Sequence, residues 1–386
     1  MKRSEDRILT THVGSIVRPE ALLSLASQLT GPPADPEAYA NVLKASVAEV
    51  VKRQVAVGID IVNDGEYGKS SWANYVLERM SGFEPRPGEP PPLDFLGRDR
   101  ERFPEVIAEQ FKQMKTGYVS QVCTSAIQYS KPADVHRDVA NLQFALREAN
   151  AAEGFLTVVA PASAVFNGRN EFYGSEREYI FALAEALRQE YLAVHESGLI
   201  VQVDDALLAN MYDFLVQQSP QHYRKWAQLR VDALNHALRG IPEDRIRYHV
   251  CFGSWHLPHV ADAPLEEIVD LILAVKAGAY SLEAANPRHE HEWRVWEKAK
   301  LPPGRILIPG VITHHIMTVE HPRVVADRII RFARIVGREN VIAGSDCGFA
   351  QTELIQRVPP SVMWAKFEAL VAGARLATAE LWGRTA

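Results

Sequence analysis

Four side chains that commonly bind zinc stand at the ends of short apolar segments in the second half of the chain. His249 and Cys251 end one segment, Glu283 follows the next, and Cys347 follows the last. Alternate residues of a strand point to the same side, so His249 and Cys251 can share one ion. Zinc takes four ligands from sulfur, imidazole nitrogen and carboxylate oxygen. A lone histidine–cysteine pair is more often part of the core, but four ligands at three neighbouring strand ends predict a zinc site.

The elements that would position these residues follow one recurring pattern: an amphipathic helix, a glycine and a short apolar strand. The clearest helices span 37–57, 177–197, 265–277 and 322–336, each ending before a glycine. Strands are predicted at 8–13, 59–62, 156–161, 199–203, 246–250, 279–282, 306–311 and 341–343. Alternating helices and strands indicate a parallel sheet, and eight strands suit a closed (β/α)8 TIM barrel. An open doubly wound sheet is the alternative, but its glycine-rich phosphate-binding motif is missing after the first strand.

Reactive side chains follow nearly every predicted strand. A (β/α)8 barrel builds its active site from the loops after the carboxyl ends of its strands. These positions hold, in chain order, Ser15, Asp64, Glu66, Asp204, Asp205, His249, Cys251, Glu283, His314, His315, Asp346 and Cys347. The barrel therefore predicts that they gather at one mouth, with only one of the two adjacent histidines pointing inward.

The amino-acid composition excludes several classes of protein. The chain has 386 residues, 47% of them hydrophobic, with a net charge of −6 and three cysteines. These values exclude a disordered chain and a disulfide-bonded scaffold. The acidic balance argues against nucleic acid as a partner. The sequence shows neither a long apolar run nor a signal peptide, so we expect a cytoplasmic protein with no membrane partner.

One domain is expected, a single barrel over residues 1–386 with an insertion at about 84–150. The stretch 84–104, rich in proline and charge, predicts a long loop, and 118–129, rich in β-branched residues, predicts an extra hairpin. Residues 361–376 predict a closing helix. Cys123 has no partner at ligand spacing and is expected in the core. The charged run 288–292 is interpreted as a solvated face rather than a metal cluster.

Seven motifs resemble, in order, those of the cobalamin-independent methionine synthase family, specifically its catalytic carboxyl-terminal barrel. They are residues 11–19 (THVGSIVRP), 64–66 (DGE), 201–204 (VQVD), 249–251 (HVC), 282–284 (LEA), Gly310-Val311 followed by His315, and 346–349 (DCGF). The similarity extends over nearly the whole chain. It implies a (β/α)8 barrel that holds Zn²⁺ through four residues: His249, Cys251, Glu283 and Cys347.

The resemblance also implies a reaction, zinc-dependent methyl transfer to homocysteine in methionine biosynthesis, as in methyltetrahydropteroyltriglutamate–homocysteine methyltransferases. Coordination to zinc would convert the substrate thiol into a thiolate, which is the reactive nucleophile. By matching position, Ser15 would bind the carboxylate of homocysteine. Glu66 and Asp204 would bind its ammonium group. His315 would be the catalytic residue that donates a proton to the leaving group.

The thiol substrate and the methyl or alkyl donor stay open at this point. Full-length folate-dependent members carry a second, amino-terminal barrel, whereas this sequence has room for one, and residues 157–166 lack a tryptophan on which a pteridine ring could stack. Short single-barrel relatives use other electrophiles, so a zinc-dependent epoxide–thiol enzyme of the coenzyme M type is an alternative. A uroporphyrinogen-decarboxylase-like barrel, or a barrel with structural zinc, is a second one. Homo-oligomer formation is also left open.

Overall fold

The centre of the molecule is a ring of eight parallel strands. The computed structural model describes residues 1–26, 33–87, 97–113, 120–164, 168–254, 256–352 and 355–383. Its strands are β1 (Leu9–Thr10), β2 (Ile61–Val62), β3 (Met80–Arg86), β4 (Ser120–Tyr129), β5 (Glu153–Val159), β6 (Gly168–Asn170), β7 (Ile200–Asp205), β8 (Ile246–Val250), β9 (Ala279–Leu282), β10 (Ile306–Ile312) and β11 (Ile342–Ser345). The eight-stranded sheet has the order β1-β11-β10-β9-β8-β7-β5-β2.

The ring closes between its first two strands. The first and last strands pair in register, with Leu9 opposite Ile342. The backbone N–H of Asp60, just before β2, donates to the carbonyl of Thr10 in β1 at 3.1 Å. The predicted (β/α)8 TIM barrel is therefore confirmed. One detail of the prediction is wrong: β10 separates the strand before Glu283 from the strand before Cys347, so the three strand ends are not all adjacent.

Helices surround the ring and connect its strands. The longer ones are Pro36–Val57, Pro104–Gln113, Pro132–Glu148, Glu176–Glu196, Pro220–Ala237, Leu265–Ala274, Pro322–Val336 and Pro360–Trp382. Short helical segments are Glu20–Leu23, Tyr75–Glu78, Gly97–Arg102, Pro161–Ala164, Leu207–Asn210, Tyr212–Val216 and Val295–Lys298, with 3₁₀ turns at Glu243–Arg245, Glu290–Arg294 and Arg338–Asn340. The residues at the helix ends explain where some of these helices begin and end. Asp35 caps Pro36–Val57 by accepting from the N–H of Ala38, and Gly58 ends that helix at φ 104°.

A three-stranded sheet lies outside the barrel; two of its strands come between β2 and β5 in sequence, and the third follows β5. Its order is β3-β4-β6, with β3 and β4 antiparallel. Residues 120–129, where the hairpin was expected, form the single strand β4, and its antiparallel partner is β3. The predicted loop at 84–104 instead contains the end of β3 and the helix Gly97–Arg102. Residues 88–96, and residues 118 and 119 of the predicted hairpin, lie outside the described chain. Cys123 is fully buried in this sheet, as predicted.

The extra sheet is attached to the barrel by a buried charge network. The guanidinium of Arg79 contacts the carboxylates of Asp138 at 2.5 Å and Glu190 at 3.4 Å. Tyr75 and Tyr129 both donate their hydroxyls to Glu190. Arg137 also contacts Asp138, at 2.9 Å, so two guanidinium groups balance the two carboxylates, which makes their burial tolerable. Among the described helices, none is long and apolar enough to cross a membrane.

Candidate metal centre and substrate pocket

Three of the four predicted metal ligands meet at the carboxyl end of the barrel. His249 is the second-to-last residue of β8, Cys251 follows that strand, and Cys347 lies just beyond β11. One ligand atom from each lies within 4.8 Å of the other two. The Sγ atoms of Cys251 and Cys347 are 3.5 Å apart. Alternation along β8 therefore places the imidazole and the thiol on one side, and the barrel order adds the second thiol from the other side of the mouth.

The surroundings of these three residues suit a cation. The Nδ1 atom of His249 contacts the Ser281 hydroxyl at 3.3 Å, which leaves Nε2 buried with no hydrogen-bond partner in the described part of the chain. The contact with Cys347 lowers the pKa of the Cys251 thiol well below its usual value, and His249 lowers it further. Thiolate sulfur and imidazole nitrogen are preferred zinc ligands, so the donor set fits Zn²⁺.

Glu283, the fourth predicted ligand, belongs to an adjacent group. Its carboxylate lies within 4.8 Å of ligand atoms of His314 and Asp346. Its two oxygens accept long hydrogen bonds, from the N–H of Phe252 at 3.4 Å and from the Asn286 amide at 3.3 Å. Burial raises the pKa of Glu283 well above its usual value, and the negative charges of Asp346 and Cys251 raise it further. The structure thus places Glu283 beside the three ligands, but groups it with different partners.

A pocket opens directly above the cysteines. It encloses about 90 Å³, enough for several water molecules. Two carboxylates, those of Glu66 and Asp204, line it together with the three ligands. Burial raises the pKa of Asp204 to about 7, an effect to which the charge of Glu66 contributes. Two acidic groups and a metal-ligand cluster therefore share one small cavity.

Glu66 is held in an unusual backbone conformation. Its φ is 61°, in the left-handed region that residues other than glycine rarely adopt. Side chains of the same turn support this shape: Asn63 accepts from the N–H of Gly65 at 2.6 Å, and Asp64 accepts from the N–H of Glu66 at 2.9 Å. The Oε2 atom of Glu66 is buried and lacks a hydrogen-bond partner among the described residues. This local strain and the unsatisfied oxygen are typical of a binding residue.

Ser15 lies in the wall of the same pocket. Its hydroxyl donates to the carbonyl of Ala350 and accepts from the N–H of Ala350 at 3.2 Å. Its own carbonyl accepts from the N–H of Phe349 at 2.8 Å. Ser15 therefore joins the loop after β1 to the loop after β11, and its hydroxyl already has partners before any substrate binds.

The side chains of His314 and His315 lie in different surroundings. β10 ends at Ile312, so the alternation of side chains along a strand does not extend to them. His314 is fully buried beside Glu283 and Asp346. His315 is not one of the described residues lining the pocket. Its ring lies 5.7 Å from that of His256 and 6.4 Å from that of His259. Burial, together with the charges of these two histidines, lowers the pKa of His315 to about 4.

Several side chains of the site were missed or misread from the sequence. Arg357 and Gln351 line the pocket from the loop after β11, where no periodic pattern exists. The expected solvated face at 288–292 is wrong for His289, which is buried and bonded to Asp262 at 2.9 Å and to Glu292 at 2.8 Å.

Two other predicted residues have structural roles. Asp205 accepts the N–H groups of Leu207 and Leu208 at the start of a short helix, and it also accepts the Tyr248 hydroxyl. Asp64 supports the turn that carries Glu66.

Comparison with known proteins agrees with this geometry. The model of the cobalamin-independent synthase catalytic domain matches residues 167–366, more than half of the chain. The chain belongs to the cobalamin-independent synthase family. Curated relatives of similar length include the uncharacterized protein YxjH of Bacillus subtilis, 23% identical over 93% of this chain and 92% of that protein. A methionine synthase of Thermococcus kodakarensis is also 23% identical, over 96% of this chain and 94% of that protein.

A solved structure shows the same fold. The B12-independent methionine synthase of a Shewanella species, in complex with selenomethionine, superposes with a TM-score of 0.72 at 17% identity, covering 98% of this chain and 99% of that one. The family membership that the seven motifs implied is thus confirmed, and so is the fold.

Proposed function

We propose that this member of the cobalamin-independent synthase family is a zinc-dependent thiol methyltransferase whose thiol substrate is homocysteine. The observation that carries the proposal is one pocket containing both a sulfur- and nitrogen-rich metal-ligand cluster and two buried carboxylates. The metal-ligand cluster suits a thiol, and the two carboxylates suit an ammonium group. Homocysteine carries both of these groups. Relatives named methionine synthase, aligned over nearly their full length, support the same assignment.

The metal would be held by His249, Cys251 and Cys347, with Glu283 within reach as the fourth ligand. A bound zinc ion supplies a Lewis acid that stabilises the substrate thiolate at neutral pH. The low pKa of the Cys251 thiol favours the deprotonated state that such binding needs. Thiol ligands must stay reduced, which supports a cytoplasmic location.

The carboxylates would bind and orient the amino group of the substrate. Asp204 is held by the Gln202 amide, which donates to its Oδ1 at 2.9 Å. Two acidic groups facing one ammonium offset the cost of burying that charge. Ser15, with its hydroxyl engaged by Ala350, would contribute the adjacent pocket wall, and Arg357 offers a positive charge for the substrate carboxylate.

His315 is proposed as the proton donor to the leaving group. An imidazole with a pKa of about 4 is neutral at pH 7, so this role requires that a bound donor with negative charge raise the pKa. The donor would approach from the side of His256 and His259, whose rings lie beside His315.

A second candidate is thiol alkylation by an epoxide, with a sulfonate-bearing thiol as substrate. The presence of Arg357 in the pocket favours it, because a sulfonate needs a cationic partner. The two carboxylates, Glu66 and Asp204, favour the amino-acid thiol. We therefore keep homocysteine as the principal assignment.

One experiment separates these functions. Purified protein is assayed for zinc by mass spectrometry, then incubated with homocysteine, coenzyme M, glutathione or cysteine, in combination with methyltetrahydrofolate, methylcobalamin or a small epoxide. Methionine formed from homocysteine by the zinc-loaded protein, and lost on chelation, supports the proposal. Protein that is well folded, contains almost no zinc after zinc loading, and turns over no thiol would refute it.

A further inference from the structure

A second group of potential ligands lies next to the cysteine cluster. Glu283 follows β9, His314 follows β10 and Asp346 follows β11, so three adjacent strands deliver them to one point. One ligand atom of each lies within 4.8 Å of the others. All three side chains are buried, with exposed fractions of 3%, 0% and 0%. The group contains no sulfur and is distinct from the cluster of His249 and the cysteines.

Three atoms of this group have no hydrogen-bond partner within the described ranges. They are both ring nitrogens of His314 and the Oδ2 atom of Asp346. Buried polar atoms are nearly always paired, so three unpaired ones at a single point indicate a missing ligand. The other oxygen of Asp346 accepts the N–H groups of Ala284 and Ala285, both at 2.8 Å. The carboxylate is therefore fixed with Oδ2 free.

The nearby cations are committed elsewhere. Lys366 donates to Thr313, to the carbonyl of Thr318 and to Glu320. Arg328 donates to the carbonyls of Val311 and Ala285 and to Glu290. His289 is bonded to Asp262 and Glu292.

None of these three cationic side chains forms a direct ion pair with Glu283 or Asp346 in the described structure. Neither carboxylate therefore has a cationic partner among these side chains, and a buried carboxylate without one is costly to ionise.

We propose that Glu283, His314 and Asp346 bind a second divalent cation beside the cysteine cluster. Two carboxylate oxygens and one imidazole nitrogen form a harder donor set than two thiolates and an imidazole, and this set suits Mn²⁺ or Zn²⁺. The two negative charges balance the cation. The carboxylate of Glu283 also accepts the N–H of Phe252, the residue after Cys251, at 3.4 Å, so it lies beside the cysteine cluster as well.

The test uses the full-length protein loaded first with Zn²⁺ and then with Mn²⁺. Crystals are measured above and below the manganese and zinc absorption edges. We expect one anomalous peak at His249, Cys251 and Cys347, and another at Glu283, His314 and Asp346. Anomalous density only at the cysteines, at saturating Mn²⁺ and Zn²⁺, overturns the proposal without any variant having to fold.

Solution measurements use His314→Gln, with His315→Gln as a matched control for loss of a neighbouring imidazole. The His314 variant should lose one equivalent of bound metal and the nitrogen modulation in the pulsed electron paramagnetic resonance spectrum of bound Mn²⁺. The control should keep both. Equal metal content in wild type and the folded His314 variant would contradict the proposal.

Cys347→Ser separates this proposal from the proposed function. If the second site exists, Mn²⁺ remains bound there in this variant while zinc is lost from the cysteine cluster. If the zinc-loaded wild-type protein methylates no thiol, the methyltransferase assignment is refuted, while Mn²⁺ retained in Cys347→Ser still supports the second site.

Discussion

Replacing Asp204 by asparagine tests the substrate assignment directly. The side chain keeps its size but loses the negative charge that would bind an ammonium group. A hydrogen bond to a charged group contributes about 1.5–3 kcal/mol, and Glu66 remains to hold the substrate. The specificity constant kcat/KM for homocysteine should therefore fall roughly 10- to 150-fold. The same constant for mercaptobutyrate, the analogue of homocysteine without the amino group, should change little.

The assay is methyl transfer measured with both thiols at matched concentrations of zinc and methyl donor. Asp205→Asn is the control, because Asp205 is adjacent but caps a helix and accepts the Tyr248 hydroxyl. That variant should lose stability without discriminating between the thiols. An equal loss of kcat/KM for both thiols in Asp204→Asn would refute the idea that this carboxylate binds the amino group.

The same residue predicts a pH dependence. Burial favours the neutral form of Asp204 and raises its pKa to about 7. Only the ionised form attracts an ammonium group, so KM for homocysteine should rise as pH falls through about 7. This rise should be absent for mercaptobutyrate and in Asp204→Asn. A KM for homocysteine that does not vary with pH in the wild-type protein would contradict it.

Three further predictions concern the metal, the pocket and the fold. Cys347→Ser should lose zinc by mass spectrometry and lose activity while its circular dichroism melt stays near wild type, and global unfolding would instead indicate structural zinc. Gly14→Ala should destabilise by about 1–3 kcal/mol in urea unfolding, because a Cβ there would lie 2.9 Å from the Glu66 Oε1 atom at a φ of 138°; an unchanged midpoint would contradict this. His289 is buried, which alone would lower its pKa, but hydrogen bonds to Asp262 and Glu292 raise it to about 10. Its stabilising charge is thus fully present below pH 6.5 and lost as pH rises to about 10. The melting temperature should therefore fall over that interval, and it should fall less in His289→Gln.

The barrel could be predicted because its signals are local. Several helices end at or next to a glycine that precedes a short apolar strand, as at Gly58 and Gly198, and both features are readable from a few consecutive residues. The extra sheet was only partly predictable. The strand Met80–Arg86 contains a glycine and a proline, and its partner strand lies far along the chain, so alternation did not reveal it.

Within the site, alternation correctly joined His249 to Cys251 but could not extend to His314 and His315, because their strand ends before them. The charges around His289 suggested a solvated helix start, since its partner Asp262 lies 27 residues away. Arg357 belongs to a loop whose position depends on the closed barrel. Residues placed by tertiary contacts rather than by periodicity were therefore the ones that sequence reasoning missed.

The contact between Ser15 and Ala350 joins residues 335 positions apart. During synthesis His249 and Cys251 leave the ribosome well before Cys347. The loop that holds Ser15 can contact Ala350 only after nearly the entire chain has been made. Under the proposed function, the nascent protein has an incomplete ligand set, and tight metal binding would require the last strand to dock on the first. Acquisition of the metal would thus report that folding is complete.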